Sequence, residues 1–180
     1  MDDEPFELFA SCLNDLLGRP ALSIALRQRA KFEGWLKIEL AHALEDRGAS
    51  VSLEAGVPGT HYRADIRATL PGSGEAYIML KTVNTNFRFS GIASLTRPIT
   101  KNIRGVVEDV SKLRASTSEE ARLVIFPVFP VAGGTPLRAL QLEPYITRIK
   151  SSGGAIEREG FLTPSGSDGS WGIAWFIARV

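Results

Sequence analysis

The chain has 180 residues, 44% of them apolar and 23% charged, with a formal net charge of +1. Length and composition fit one globular domain over residues 1–180 with a core of its own, and the near-neutral balance excludes a chain that is polybasic throughout while leaving room for a local basic face. Cys12 is the one cysteine, which excludes an internal disulfide and fits a reducing, cytoplasmic compartment; the acidic opening Met1-Asp2-Asp3-Glu4 has the wrong charge for a signal peptide and no apolar run reaches a spanning length, so no membrane partner is expected.

Residues 5–17 repeat apolar side chains at helical spacing: Phe6, Phe9, Leu13, Leu16 and Leu17. Asp2 or Asp3 can cap the start, and Gly18 with Pro20 marks the stop. The spacing predicts an N-terminal helix within residues 1–20, packed on the body of the domain. Cys12 falls inside the pattern as a buried small side chain, not as a nucleophile. Residues 21–47 read as the main helical region. Phe32, Trp35, Leu36, Leu40, Ala43 and Leu44 make one apolar face, and Gly48 ends it. Two acids, Glu33 and Glu39, flank that face, and His42 reads as a surface or packing histidine.

Three short strands follow over 49–54, 64–70 and 76–80, and each carries a polar residue that a plain core strand does not need. Glu54 closes the alternation of Val51 and Leu53, Asp65 opens the second strand, and Lys81 ends the third. Neighbouring strands of this kind bring the three groups to one end of a sheet. A carboxylate pair near an ammonium group is what a divalent cation and a polarised phosphate require. The plainer reading of Asp65 is a strand-edge carboxylate paired with Arg63 or Arg67. The loop 56–63 carries His61, an exposed loop histidine or a general base. Residues 71–74 form a hairpin turn, and Glu75, at the far end of the third strand, is about 20 Å from Lys81 along an extended chain.

Residues 82–89 are rich in amides and aromatics and carry Arg88, a composition that suits either a nucleic-acid backbone or a hairpin edge. A second amphipathic helix is expected over 98–114, with Ile99, Ile103, Val106, Val107, Val110 and Leu113 on its apolar face and Thr100 as a cap. Lys101 and Arg104 lie off that face, as solvated charges or as phosphate contacts. The dense apolar run 121–131 reads as a strand covered on both faces, with an edge or an end required at Pro127 to Pro130. A third helix is expected over 136–151, a loop over 163–170 and a last apolar strand over 171–180. That strand needs a neighbour, in the same sheet or across a homodimer interface. The order of elements predicts an α/β sandwich with a central mixed sheet. There is no Gly-rich phosphate loop, no Cys/His ligand cluster and no serine nucleophile elbow.

The succession of a helix glutamate, Glu54, Asp65 and a strand ending in Lys81 resembles the PD-(D/E)XK nuclease superfamily, which includes many restriction enzymes and Holliday-junction resolvases. The resemblance covers residues 31–131. It implies a restriction-endonuclease-like core, Mg²⁺ held by Asp65, Glu54 and Glu33, and Lys81 orienting or activating the attacking water. It also implies a nucleic-acid substrate, DNA before RNA, with phosphate contacts at Arg88, Lys101 and Arg104. Glu33 is preferred to Glu39 as the helix acid on geometry. The strand back from Gly48 to Glu54 covers about 20 Å, which a helix spans in about thirteen residues, so Glu33 lies level with Glu54 and Glu39 about 9 Å further off. One position departs from the superfamily pattern. Met79, two before the lysine, replaces the usual acid, and a thioether is a poor ligand for Mg²⁺. Three readings follow: a metal-dependent nuclease, a nuclease-fold module that binds nucleic acid or a protein without cleaving, and an unrelated α/β domain.

Overall fold

The computed structural model describes residues 4–94 and 99–180. Three helices come first: α1 (Glu4–Leu17), α2 (Leu22–Arg27) and α3 (Glu33–Glu45). An antiparallel meander follows, β1 (Ser50–Gly56), β2 (Arg63–Leu70) and β3 (Gly74–Leu80), and then the two-residue β4 (Val83–Asn84). The rest is α4 (Ile99–Arg114), β5 (Ala121–Ala132), α5 (Thr135–Ser151), β6 (Ala155–Leu162) and β7 (Trp171–Arg179). These strands join in one mixed sheet in the order β1-β2-β3-β5-β7-β6. β3 and β4 both lie parallel to β5, β3 pairing as far as Ile125 and β4 resuming at Val128. The caps expected at Asp2 or Asp3 and at Thr100, and the helix start at Pro98, lie outside the described residues and side chains.

Helices cover both faces of the sheet. On one face, Phe6, Phe9, Leu13 and Leu16 of α1 and Leu36, Leu40 and Leu44 of α3 are buried in one cluster with Ile66, Ile78, Leu80 and Ile125. Each such side chain stabilises the fold by about 2 kcal/mol on burial, which explains why α1 packs down on the domain. On the other face, Ile103, Val106, Val110 and Leu113 of α4 and Tyr145 and Ile149 of α5 are buried with Val124, Phe126 and Phe176. Met79 joins this second cluster at 4% exposure. The architecture is the mixed α/β sandwich that the order of elements predicted.

Three expectations need correction. The helical region over 21–47 is two helices, broken at Arg29, whose φ is 51°. The buried Arg29 guanidinium donates to the carbonyls of Thr85, Phe87 and Ala93, and these long-range bonds override local helix propensity. β5 is neither an edge nor a strand end at its prolines; it lies between β3 and β7. Pro127 is tolerated there because it falls between the last residue paired with β3 and the first paired with β4, and Pro130 lies in the register shift between Val128 and Val131. Finally, β6 lay unread in the sequence, and it supplies a neighbour to β7 inside the same sheet, as β5 does on the other side.

Candidate functional site

Asp65 is the third residue of β2, where the β1–β2 ladder sets Leu53 against Ile66 and Ala55 against Ala64. Glu54 therefore stands across from Asp65, with its own backbone in the left-handed region at φ 51°. Like charges facing each other across antiparallel strands, about 5 Å apart, are destabilising. At an effective dielectric of about 20 the repulsion is roughly 3 kcal/mol before solvent screening. Lys37 of α3 answers it. Its ammonium group donates to Glu54 Oε1 and lies 3.6 Å from Asp65 Oδ1. Asp65 Oδ2 accepts from the Leu80 backbone N–H at 2.7 Å. The backbone ladder between β2 and β3 stops at Ile66 and Ile78, so this side chain carries the pairing on to the end of β3.

Lys81 follows directly, its N–H donating to the Ile125 carbonyl at 3.1 Å. Its ammonium group donates to Glu33 Oε1 at 3.3 Å and pairs with Asp109 Oδ2 at 3.5 Å. Glu33, the first residue of α3, spends its second oxygen on the Thr82 N–H at 3.0 Å. Asp109 of α4 is buried, and its Oδ1 accepts from Lys112 at 2.6 Å. The stem of Lys81 runs against Gly105, where a Cβ would come within 3.2 Å of Lys81 Cε. Four carboxylates and three ammonium groups thus meet where β3 ends, an excess of one negative charge.

The electrostatics follow from burial and from these partners. Burial pushes the Asp65 carboxyl up, against the pull of the Leu80 N–H and of Lys37. For Lys81, burial alone favours the neutral amine. The charges of Asp109 and Glu33 outweigh it and hold the group above the ordinary lysine range. The hydrogen bond to Glu54 does the same for Lys37. Both lysines are therefore cations at neutral pH, held by carboxylates of the chain itself and not poised to accept a proton.

Of the residues singled out in the sequence, Glu54 and Asp65 share Lys37, and Glu33 and Lys81 pair beside Asp109; the two groups make one network only through the Asp65–Leu80 hydrogen bond next to Lys81, not through an ion pair among the described residues. Asp65 pairs with neither Arg63, which donates to the Glu54 carbonyl, nor Arg67, which pairs with Glu75. Glu39 pairs with Arg19 instead. Arg88 and Lys101 are exposed, and Arg104 pairs with Glu108 at 2.7 Å. His42 is exposed beside Asp46, and the exposed His61 ring lies against Tyr62. Two members of the network escaped the sequence reading, though each left a signal. Asp109 is three residues after Val106 and four before Leu113, on the buried face of α4. Lys37 is one helical turn after Glu33 and shares its side of α3.

Mg²⁺ takes about six oxygens near 2.1 Å. Here Glu33 and Asp65 each meet one ammonium and one N–H, and Glu54 is taken by Lys37. Among the described residues no three His, Cys, Asp or Glu are grouped to hold a metal ion, so the set expected at Asp65, Glu54 and Glu33 does not fit one as it is arranged. Among the described residues, too, no helix is long and apolar enough to cross a membrane. No family model, curated protein or solved structure matches the chain.

Proposed function

We propose that the chain is a nucleic-acid-binding module on a restriction-endonuclease-like core, with phosphodiester cleavage weakened or lost. The observation that carries this reading is the way the carboxylates are spent. Asp65, Glu54 and Glu33 are each engaged by a lysine ammonium of the chain itself, and Met79 is packed into the apolar layer under α4. Nucleic acid is the ligand favoured by exposed basic side chains. Arg88 and Lys101 are exposed, and Arg88 sits on a segment that Arg29 pins through the Thr85, Phe87 and Ala93 carbonyls. An exposed cation on a pinned segment, or on a helix, meets phosphate with little ordering cost of the backbone. A second reading, metal-dependent cleavage of nucleic acid, is favoured by the Glu33–Lys81 pair lying next to Asp65, which feels the charge of both.

One pair of assays separates them. Incubation of single- and double-stranded DNA and RNA with Mg²⁺ or Mn²⁺ leaves the substrates intact on the first reading. Binding then weakens steeply with salt, and Arg88→Ala or Lys101→Ala lowers the salt slope by about one each. Cleavage that disappears in Asp65→Ala and Lys81→Ala establishes the second reading in its place.

A further inference from the structure

Lys37 plays no part in the reading above beyond occupying carboxylates, yet its position is unusual. It reaches from α3 between two acids on facing positions of β1 and β2, and its side chain is only 22% exposed. The two acids answer to different neighbours otherwise. Asp65 is tied to the Leu80 N–H, while Glu54 is held in a left-handed backbone conformation. Without a cation between them, two like charges face each other where one is half-buried. The Leu80 N–H is then the bond that remains to hold Asp65 against the end of β3.

We propose that Lys37 is the resident cation of this site: its ammonium group takes the seat between Glu54 and Asp65, so the site is complete and binds nucleic acid without a divalent metal ion. The inference deepens the binding reading and rests on it for the ligand. Lys37 is a positioning residue. It touches no substrate; it fixes the Asp65 carboxylate that closes the end of β3 next to Lys81. The seat is lined by hard oxygens, so a divalent cation is the natural replacement once the ammonium group is removed. A guanidinium at the same place keeps the charge and leaves no such vacancy.

The test compares the full chain with Lys37→Gln and Lys37→Arg, by thermal unfolding in Mg²⁺ or Ca²⁺ against NaCl of equal ionic strength. The parent and Lys37→Arg show no midpoint shift specific to the divalent ion. Lys37→Gln has a lower midpoint that millimolar Mg²⁺ or Ca²⁺ raises by several degrees, and adding Glu54→Gln removes that response. Parent protein that is stabilised by Mg²⁺ as much as the variant overturns the proposal, as does a folded Lys37→Gln that ignores both ions. Should Lys37→Gln not fold, Mn²⁺ titration of the parent followed by electron paramagnetic resonance decides alone: bound Mn²⁺ that Glu54→Gln abolishes refutes a seat already filled, and free Mn²⁺ throughout supports it. These arms contain no nucleic acid. Failure to bind DNA or RNA sinks the functional reading and leaves the role of Lys37 intact, whereas a metal response in the parent overturns the role of Lys37, and nucleic-acid binding is then judged by its own assay.

Discussion

Arg29 and Lys81 are both cations drawn into the protein, and they are held in opposite ways. Arg29 is 4% exposed and spends its guanidinium on three backbone carbonyls of the 85–93 segment. Lys81 keeps its side chain 31% exposed and faces two carboxylates, Glu33 and Asp109. Burial moves the Arg29 guanidinium below its ordinary range, while the acids around Lys81 outweigh burial and move that group up. A cation whose three nitrogens donate to backbone carbonyls is a closed structural clamp, since its donors are directed and already spent. A cation shared between two carboxylates has its charge compensated, and it keeps part of its side chain open to solvent.

The comparison breaks most visibly at Arg29. Arg29→Met leaves three carbonyls without a donor, and a loss of about 4 kcal/mol is expected in urea unfolding, with the 85–93 amides losing hydrogen-exchange protection first. A loss below about 1 kcal/mol means that the clamp is ornamental.

Asp109→Asn probes the other side. It removes one of the two acids on Lys81, but Lys81 and Lys112 can turn to water, so about 2 kcal/mol is expected rather than the full cost of a broken buried pair. The pH dependence sharpens this. A lysine raised in the folded state contributes stability that is fully present below the ordinary value of 10.5 and is lost as pH rises through the higher folded value. Asp109→Asn lowers that folded value, so the variant loses less stability than the parent between pH 9 and alkaline pH beyond 10.5. Equal alkaline losses in both proteins contradict the arrangement.

Gly105→Ala gives the smallest effect on stability. Alanine favours the helix over glycine by about 1 kcal/mol, and its Cβ asks only Lys81 Cε, at 3.2 Å, to give by a few tenths of an ångström. Stability in urea unfolding therefore changes by less than about 1 kcal/mol. A loss above about 2 kcal/mol shows instead that the Lys81 stem cannot give way at this contact.

Much of the fold was legible because its elements follow simple periods. The i, i+3, i+4 spacing of Phe6, Phe9 and Leu13, and of Ile103, Val106 and Val110, marked helices that bury those residues. β6 was not legible, because Glu157, Arg158 and Glu159 interrupt its pattern; it is an outer strand that meets α1 through Arg158 and Glu7. The break at Arg29 has no Gly or Pro to announce it, only bonds to a segment more than fifty residues away. At the site, the residues that lie at strand ends were readable, because a polar group closing an apolar run needs a reason. Asp109 and Lys37 sit inside helices, where a single charge looks like ordinary solvated surface until its neighbours in space are known.

β1 is an outer strand with Leu53 exposed at 41%, the kind of border along which copies of a chain zip together. Glu54 turns that border. With a left-handed backbone in mid-strand and a charged side chain, it breaks the straight row of amides that a second copy would need to line up against. The residue that anchors Lys37 thereby also guards the protein against edge-to-edge aggregation.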